Sequence, residues 1–174
     1  MKRTLENLIL TDEDFICYGD LTITGEVKLI NSNLIVSGIL CFKVLNNEHF
    51  PVVITGGDIC AYALKSDVDI YIRDGDIWAM NLDSRNIDSD SDIEVLNYAD
   101  TGNIRYLNYY VSSNNESYSI TAVQDVYILG NNNSFELTAR DIFINGLCDT
   151  GGSKIVAKSF KCSRVDSITP VFVG

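Results

Sequence analysis

The sequence is poor in the residues that many binding sites for nucleic acid are built from. Its 174 residues include one histidine, one tryptophan, two prolines, and 13 basic against 24 acidic side chains. The net charge is −11, so direct binding to nucleic acid is not expected. The apolar runs are only a few residues long, which predicts no transmembrane helix and no membrane association.

The five cysteines, at positions 17, 41, 60, 148 and 162, contain no C-x-x-C pair and are odd in number. Such a set is typical of reduced thiols in a cytoplasmic protein. The segment Met1–Asn7 is basic, but Glu6 and Asn7 interrupt the apolar run, so it does not have the pattern of a signal peptide. We therefore expect a cytoplasmic location and no cofactor.

What the sequence does contain favours a folded, strand-rich domain. Apolar residues make up 46% of the chain, which is too many for an acidic disordered tail, and the length suits one domain. Twelve glycines against two prolines, together with many Ile, Val, Thr, Tyr, Asn and Asp residues, favour strands joined by tight turns.

A short phrase recurs along the chain: an aliphatic residue, a small or apolar residue two positions later, and another apolar residue about five positions later. The phrase begins at Leu21, Ile39, Ile59, Ile77, Ile93, Ile120, Leu137 and Ile155. The intervals are 18, 20, 18, 16, 27, 17 and 18 residues. A near-constant interval of this length indicates a solenoid.

Within one interval the inward positions step by five, as in Ile77-x-Ala79, Leu82-x-Ser84 and Ile87-x-Ser89. Residues i and i+2 of a strand point to the same side, so three short faces close each coil. The sequence predicts an all-β, single-domain, right-handed parallel β-helix of about eight coils of roughly 16–20 residues. Cys41 and Cys162 are predicted to point inward, and Cys60 outward.

The interruptions of the repeat predict the boundaries. Residues 1–18 lie outside the register and are expected to cap the first coil, residues 19–168 to form the solenoid, and residues 169–174 to form a cap or a self-assembly edge. Loop insertions are expected near 46–51 and near 105–117, the latter as a protruding loop or an irregular coil. Asn131–Asn133 is expected to be a coil corner.

The Ile-x-Ala-x-x phrases in 59–95 and 120–167 resemble the tandem short-repeat β-solenoid proteins of low-GC bacteria and their phages. They are distantly similar to pentapeptide-repeat proteins. Acidic members of that group include mimics of DNA that occupy the groove of a topoisomerase, so the resemblance implies a nucleic-acid-mimicking inhibitor. The stretch Gly19–Gly25 resembles bactofilin-like filament proteins, which implies a filament.

Acidic residues are concentrated in the centre of the chain. Residues 58–100 carry eleven acidic and three basic side chains, a net −8, whereas residues 153–174 carry a net +3. The candidate partner-binding acids are Asp74, Asp76, Asp83, Asp88, Asp90, Asp92, Glu94 and Asp100. The four from 88 to 94 are predicted to project to one side of an extended chain. They suit a basic partner, a bound Ca²⁺ or Mg²⁺, or a solvated corner whose carboxylates accept turn amides.

The segment Tyr106–Tyr110 supplies Tyr106, Tyr109 and Tyr110 as further candidate contact residues, because tyrosine is enriched at interface hot spots. A segment that folds back over the solenoid is the alternative. His49, in the expected loop beside Phe50 and Pro51, is interpreted as a loop residue rather than a catalytic base.

The function predicted from these features is non-enzymatic binding of a basic protein surface, such as that of a nucleic-acid-binding enzyme. One alternative is a structural or self-assembling β-helix, a filament or virion component, that forms homo-oligomers through the ends of the solenoid. A second is a carbohydrate-binding or carbohydrate-active β-helix, with Asp58 and Asp76 as paired carboxylates and Trp78 and exposed tyrosines stacking on sugars. The chain is short for a catalytic β-helix and no catalytic residue is assigned.

Overall fold

The computed structural model describes residues 1–43, 50–90, 92–106, 108–112, 114–134, 136–149, 154–166 and 169–172, and every regular element in this part of the chain is a strand. The strands of the first half are β1 Lys2–Leu5, β2 Leu8–Thr11, β3 Phe15–Cys17, β4 Asp20–Ile23, β5 Val27–Ile30, β6 Leu34–Phe42, β7 Val52–Thr55, β8 Ile59–Ser66, β9 Ile70–Arg73, β10 Ile77–Ser84 and β11 Ile87–Ser89. Those of the second half are β12 Ile93–Thr101, β13 Asn103–Tyr106, β14 Tyr109–Val111, β15 Asn114–Asn115, β16 Ser119–Ala122, β17 Asp125–Ile128, β18 Asn132–Asn133, β19 Glu136–Thr138, β20 Asp141–Asp149, β21 Lys154–Ala157, β22 Ser159–Asp166 and β23 Thr169–Phe172.

The strands form two parallel sheets, one of thirteen strands and one of ten. The longest strands of the larger sheet are bent: in β10 the alternation of buried and exposed residues breaks between Ala79 and Leu82, where the register with β12 also shifts. Each coil therefore has three faces. Face 1 carries β3, β14, β17 and the first halves of the long strands; face 2 carries β1, β4, β15, β18 and their second halves; face 3 is the ten-stranded sheet.

The predicted all-β, single-domain parallel solenoid of about eight turns is confirmed. Ile59, Ile77 and Ile93 pair on successive coils of face 1, and Ala61 pairs with Ala79 in the next inward file. All five are at most 1% exposed. Face 3 contains ten strands. Eight of them belong to the coils that carry the repeated phrase, and β2 and β23 add one strand at each end of the sheet. The right-handed sense of the coil stays a prediction.

The 27-residue interval after Ile93 comes from a change of face. Ile93 lies on face 1, where the following coil places Tyr109, whereas Ile120 lies on face 3 above Ile104. The sequence predicted a loop insertion near 105–117, but its described residues include β14, β15 and the end of β13, all paired with the coils on either side. The interval spans one regular coil plus the step from face 1 to face 3.

A second register difference concerns Ile39 and Cys41, which were predicted to point inward. The pairing of β6 with β8 shifts between Val36 and Ile39, and Leu40 instead of Ile39 aligns with buried Leu64. Because such an irregularity bends the strand and shifts its side-chain alternation, Ile39 and Cys41 lie on the outward side. Ile39 is 38% exposed.

The two ends of the chain pair with the solenoid. Within residues 1–18, predicted to lie outside the register, β1 pairs with β4, β2 with β5 and β3 with β6, so this segment forms a coil in register with the next. At the other end β23 pairs with β21. Whether either segment acts as a cap stays a prediction. Of the insertion expected at 46–51, residues 46–49, including His49, lie outside the described residues.

A chain of polar side chains runs inside the solenoid along face 2. Asn115 Nδ2 donates to Asn132 Oδ1 at 2.8 Å, and Asn115 Oδ1 accepts from the Tyr109 and Ser117 hydroxyls at 3.0 and 2.8 Å. Asn132 Nδ2 donates in turn to the Ser134 hydroxyl at 2.8 Å. Asn132 was expected at a coil corner; it lies in β18 and is 1% exposed. Partnered buried amides of this kind fix the stacking register of successive coils.

Candidate functional site

The outward side of face 1 carries a file of aromatic residues. Trp78, Tyr110 and Tyr127 are 37–38% exposed, and Phe143 is half-buried. The residues that pair with one another at this position on successive coils are, in order, Cys60, Trp78, Glu94, Tyr110, Tyr127, Phe143 and Lys161. The Tyr110 and Tyr127 rings stack at 5.3 Å with an 8° interplanar angle. We call Trp78, Tyr110, Tyr127 and Phe143 the aromatic stripe.

Aspartate or asparagine recurs at the corner that leads from face 3 into face 1, immediately before or at the first residue of the face 1 strands from β3 to β20. The members of this corner column are Asp14, Asn33, Asp58, Asp76, Asp92, Asn108, Asp125 and Asp141. The Asp58 Oδ1 atom accepts the backbone N–H of Asp76 at 2.9 Å, and Asp76 Oδ1 accepts that of Asp92 at 2.9 Å. Each side chain thus satisfies a turn amide of the next coil. The solvated-corner interpretation accounts for one oxygen of each of these two carboxylates.

The carboxylates in the middle of the corner column have no cation beside them in the part of the chain that the structure describes. Within the described ranges, no lysine or arginine lies in ion-pair distance of Asp58, Asp76 or Asp92. Asp58 and Asp76 are exposed, and Asp92 is half-buried. Successive coils are about 4.8 Å apart, so three neighbouring negative charges face solvent along this edge.

The aromatic stripe and the corner column border one shallow depression of about 340 Å³. Its lining consists of Asp58, Cys60, Asp76, Ile77, Trp78, Asp92, Glu94 and Tyr110. Of the predicted partner-binding residues, the structure therefore brings together Asp76, Asp92, Glu94 and Tyr110. We call this depression the candidate site.

The four acids from 88 to 94 were predicted to project to one side, and this is wrong because the chain turns the corner between β11 and β12. Asp88 lies on face 3, where its carboxylate meets Arg73 Nη2 at 3.2 Å, and Glu94 lies on face 1. Asp90 and Asp92 lie at the corner. There Asp90 Oδ1 accepts the backbone N–H of Asp74 at 2.9 Å; Asp74 has a positive φ of 52°.

Asp83 and Asp100 lie on another side of the molecule. They pair across β10 and β12 on the outward side of face 2, away from the candidate site. Partial burial, then the charges of Asp83 and Glu116, raise the pKa of the Asp100 carboxyl. The Tyr98 hydroxyl donates to Glu116 at 2.9 Å, and burial and this hydrogen bond raise the pKa of Tyr98 to about 12.

Tyr106 and Tyr109, predicted as contact residues, are core residues. Both are 0% exposed, and their rings lie 4.8 Å apart inside the solenoid. Tyr106 occupies an inward position of face 3 beside Ala122, whose small side chain leaves room for the ring. Burial raises the pKa of both phenols, and the Tyr106 hydroxyl has no hydrogen-bond partner among the described residues. Only Tyr110 of this group can touch a partner.

The direction of each cysteine side chain follows from its alternating inward or outward position in a strand. Cys60 points outward, as predicted, and burial, Asp58 and Asp76 raise the pKa of its thiol. Cys162 pairs with inward Ile144 and packs partly buried against the core, as predicted. The Cys148 thiol is fully buried, and burial raises its pKa to about 12. The raised pKa makes the thiols of Cys60 and Cys148 poor nucleophiles.

Two cations of the chain itself lie at the end of this surface nearest the C-terminus. Arg140 Nη2 contacts both carboxylate oxygens of Asp125 at 2.8 Å, and its Nε contacts Asp141 Oδ2 at 3.1 Å. Hydrogen bonds from Ser159 and Arg140 lower the pKa of Asp141. Lys161 Nζ lies 5.5 Å above the centroid of the Phe143 ring. Phe143 was not among the predicted site residues, although aromatic residues at 110, 127 and 143 recur at coil intervals and point outward.

The described part of the chain shows no group of three or more His, Cys, Asp or Glu side chains arranged to hold a metal ion. Among the same residues, no helix is long and apolar enough to cross a membrane. No protein-family model, curated protein or solved structure matches the chain.

Proposed function

We propose that this β-solenoid is a non-enzymatic binding module that docks on a basic protein surface through the candidate site and the corner column. The observation that carries the proposal is the row of three carboxylates, Asp58, Asp76 and Asp92. They form no ion pair with a described residue and lie beside exposed Trp78 and Tyr110. Carboxylates steer a basic partner toward the surface. Aromatic side chains provide contact area once the partner has docked.

The charge spacing supports a finer proposal, in which the basic surface is the groove of a nucleic-acid-binding enzyme. Among Asp58, Asp76 and Asp92 one charge follows another at about 4.8 Å, compared with one charge per about 3.4 Å of helix axis along one DNA strand. The relation to phage and bacterial repeat proteins, the inhibitory role and the cytoplasmic location belong to this finer proposal. It rests on charge and shape.

The test compares two variants that lose the same charge from different faces. In the first, Asp58, Asp76 and Asp92 become Asn; in the second, Asp83 and Asp100 become Asn and Glu116 becomes Gln. Both are measured against purified basic DNA-binding enzymes, a topoisomerase and a nuclease, at low and high salt, with free DNA as competitor. We expect the wild-type protein to bind, salt and DNA to weaken the complex, and only the first variant to lose it.

Equal losses from the two variants would show that net charge alone drives association and would refute the assignment to face 1. Failure of the wild-type protein to bind any of these enzymes would refute the finer proposal. Corner-column variants keep their turn hydrogen bonds, because Asn33 and Asn108 already occupy this column and accept the N–H of Asp58 and Asp125.

A second candidate function is carbohydrate binding, which exposed Trp78 favours because an aromatic ring can stack on a sugar ring. A glycan array separates the two. Binding to a neutral glycan that Trp78→Ala abolishes would favour the carbohydrate function, and salt-sensitive binding to basic proteins alone would remove it.

A further inference from the structure

The C-terminal part of face 1 shows how a cation engages this surface. Arg140 spans one coil step of the corner column, from Asp125 to Asp141, while Lys161 covers the aromatic ring of Phe143. The guanidinium is held by three contacts of 2.8–3.1 Å with two stacked carboxylates. Two carboxylates one coil apart therefore lie at a spacing that the N–H donors of one guanidinium group can bridge.

The same carboxylate spacing recurs in the centre of the solenoid without the arginine. Arg140 directly precedes Asp141, and the residues that directly precede Asp58 and Asp76 are Gly57 and Gly75. Neither glycine has a side chain that reaches the carboxylates. A β-carbon at Gly75 would collide with the carbonyl oxygen of Gly57, so close packing requires glycine here.

We infer that the candidate site binds arginine side chains of a basic partner protein, each guanidinium bridging two successive carboxylates among Asp58, Asp76 and Asp92 and stacking on Trp78. The inference rests on the proposed function and names the partner residue for it. The depression of about 340 Å³ between Trp78 and Tyr110 lies directly beside these carboxylates. Glu94, which also lines the depression, adds a further acceptor.

Arginine fits this arrangement better than lysine for two reasons. Its planar fork presents parallel N–H donors that reach two acceptors together, whereas an ammonium group is a point charge. The guanidinium plane also stacks on an aromatic face while its edge remains free for hydrogen bonds. Arg140, which bridges Asp125 and Asp141, illustrates the first property in this molecule.

Trp78 is the only tryptophan of the chain, so its fluorescence reports on the candidate site alone. The probes are three extended peptides of glycine alternating with arginine, with lysine or with citrulline, added to the intact protein. We expect the arginine peptide to change Trp78 emission and to bind at least about threefold tighter than the lysine peptide. The reason is that a guanidinium group can stack on the indole ring and donate two hydrogen bonds at the same time. The uncharged citrulline peptide is expected not to bind.

The double variant Asp76→Asn/Asp92→Asn is expected to weaken the arginine peptide about fivefold, in line with two exposed ion pairs. The matched control Asp83→Asn/Asp100→Asn, with the same charge change on face 2, is expected to leave Trp78 emission and affinity as in the wild-type protein. Circular dichroism of each variant establishes that the solenoid is intact.

A gain-of-function variant tests the same idea independently. Arg140→Gln frees the Asp125–Asp141 pair beside Tyr127 and Phe143, and it should raise the number of arginine peptides bound per chain in calorimetry. Equal affinity for arginine and lysine peptides, an equal loss in both charge variants, or no added binding after Arg140→Gln would each overturn the arginine assignment. If no cationic peptide binds while a folded basic enzyme still does, the arginine inference fails and the proposed function stands.

Discussion

Replacing the buried amide of Asn115 is expected to destabilise the solenoid strongly. The side chain is 1% exposed and is held by three hydrogen bonds, from the Tyr109 and Ser117 hydroxyls and to Asn132 Oδ1. Asn115→Ala removes all three of these hydrogen bonds. Each is worth about 0.5–1.5 kcal/mol, so the free energy of unfolding should fall by about 1.5–4.5 kcal/mol.

A second substitution tests the coupling between the two side chains. In the wild-type protein, Tyr109→Phe removes the hydrogen bond to Asn115 and is expected to cost about 0.5–1.5 kcal/mol. In the Asn115→Ala background that hydrogen bond is already lost, so we expect Tyr109→Phe to cost about 0.5–1.5 kcal/mol less there.

The four proteins of this cycle are compared by urea denaturation followed by far-UV circular dichroism, with the slope of each transition checked for a common unfolding reaction. Leu8→Ala, in the first coil and distant from the network, serves as the control: its cost should be the same in both Asn115 backgrounds. If Tyr109→Phe had the same cost with and without Asn115, the hydrogen bond between the two side chains would not contribute to stability, and the reasoning would be refuted.

Three further predictions concern other parts of the solenoid. Asp100→Asn should raise the free energy of unfolding at neutral pH by about 0.2–1 kcal/mol, because it removes the repulsion between the paired carboxylates of Asp83 and Asp100. The pKa of Asp100 is raised in the folded state, so its ionised carboxylate lowers stability as the pH rises. The gain from the substitution should therefore vanish near about pH 4 when stability is measured by urea denaturation. Gly75→Ala should destabilise by about 1–3 kcal/mol in the same assay, as its methyl group meets the carbonyl of Gly57. Cys60 should react more slowly with iodoacetamide at neutral pH than a free thiol, measured by peptide mass, because burial and the two corner carboxylates raise its pKa.

The repeated files of the core could be predicted from the sequence, because an inward position must be filled in every coil. Ile59, Ile77 and Ile93 recur at the coil length, and their neighbours Ala61 and Ala79 repeat two residues later. Strand parity and the need to bury one side fix these files without any knowledge of the turns.

The outward surface was harder to predict because the inward–outward alternation of side chains is interrupted at every corner. The run from Asp88 to Glu94 alternates regularly in sequence, yet it crosses from face 3 to face 1, so its members point in different directions. Hydropathy also failed for Tyr106 and Tyr109, whose polar composition and neighbours suggested a surface loop. Their inward positions follow from pairing with Ala122 and Ile93, which only the full register supplies.

The stacking of coils gives each column of side chains its own role, and this explains how one acidic chain can combine structural and exposed carboxylates. In the corner column one oxygen of Asp58 or Asp76 holds the next coil, so these residues serve the fold whether or not a partner binds. Asparagine performs the same task at Asn33 and Asn108, which accept the N–H of Asp58 and Asp125 at 2.9 and 3.3 Å. The turn hydrogen bonds therefore do not require the negative charge of the three central aspartates. That charge is the property left for a binding function to explain.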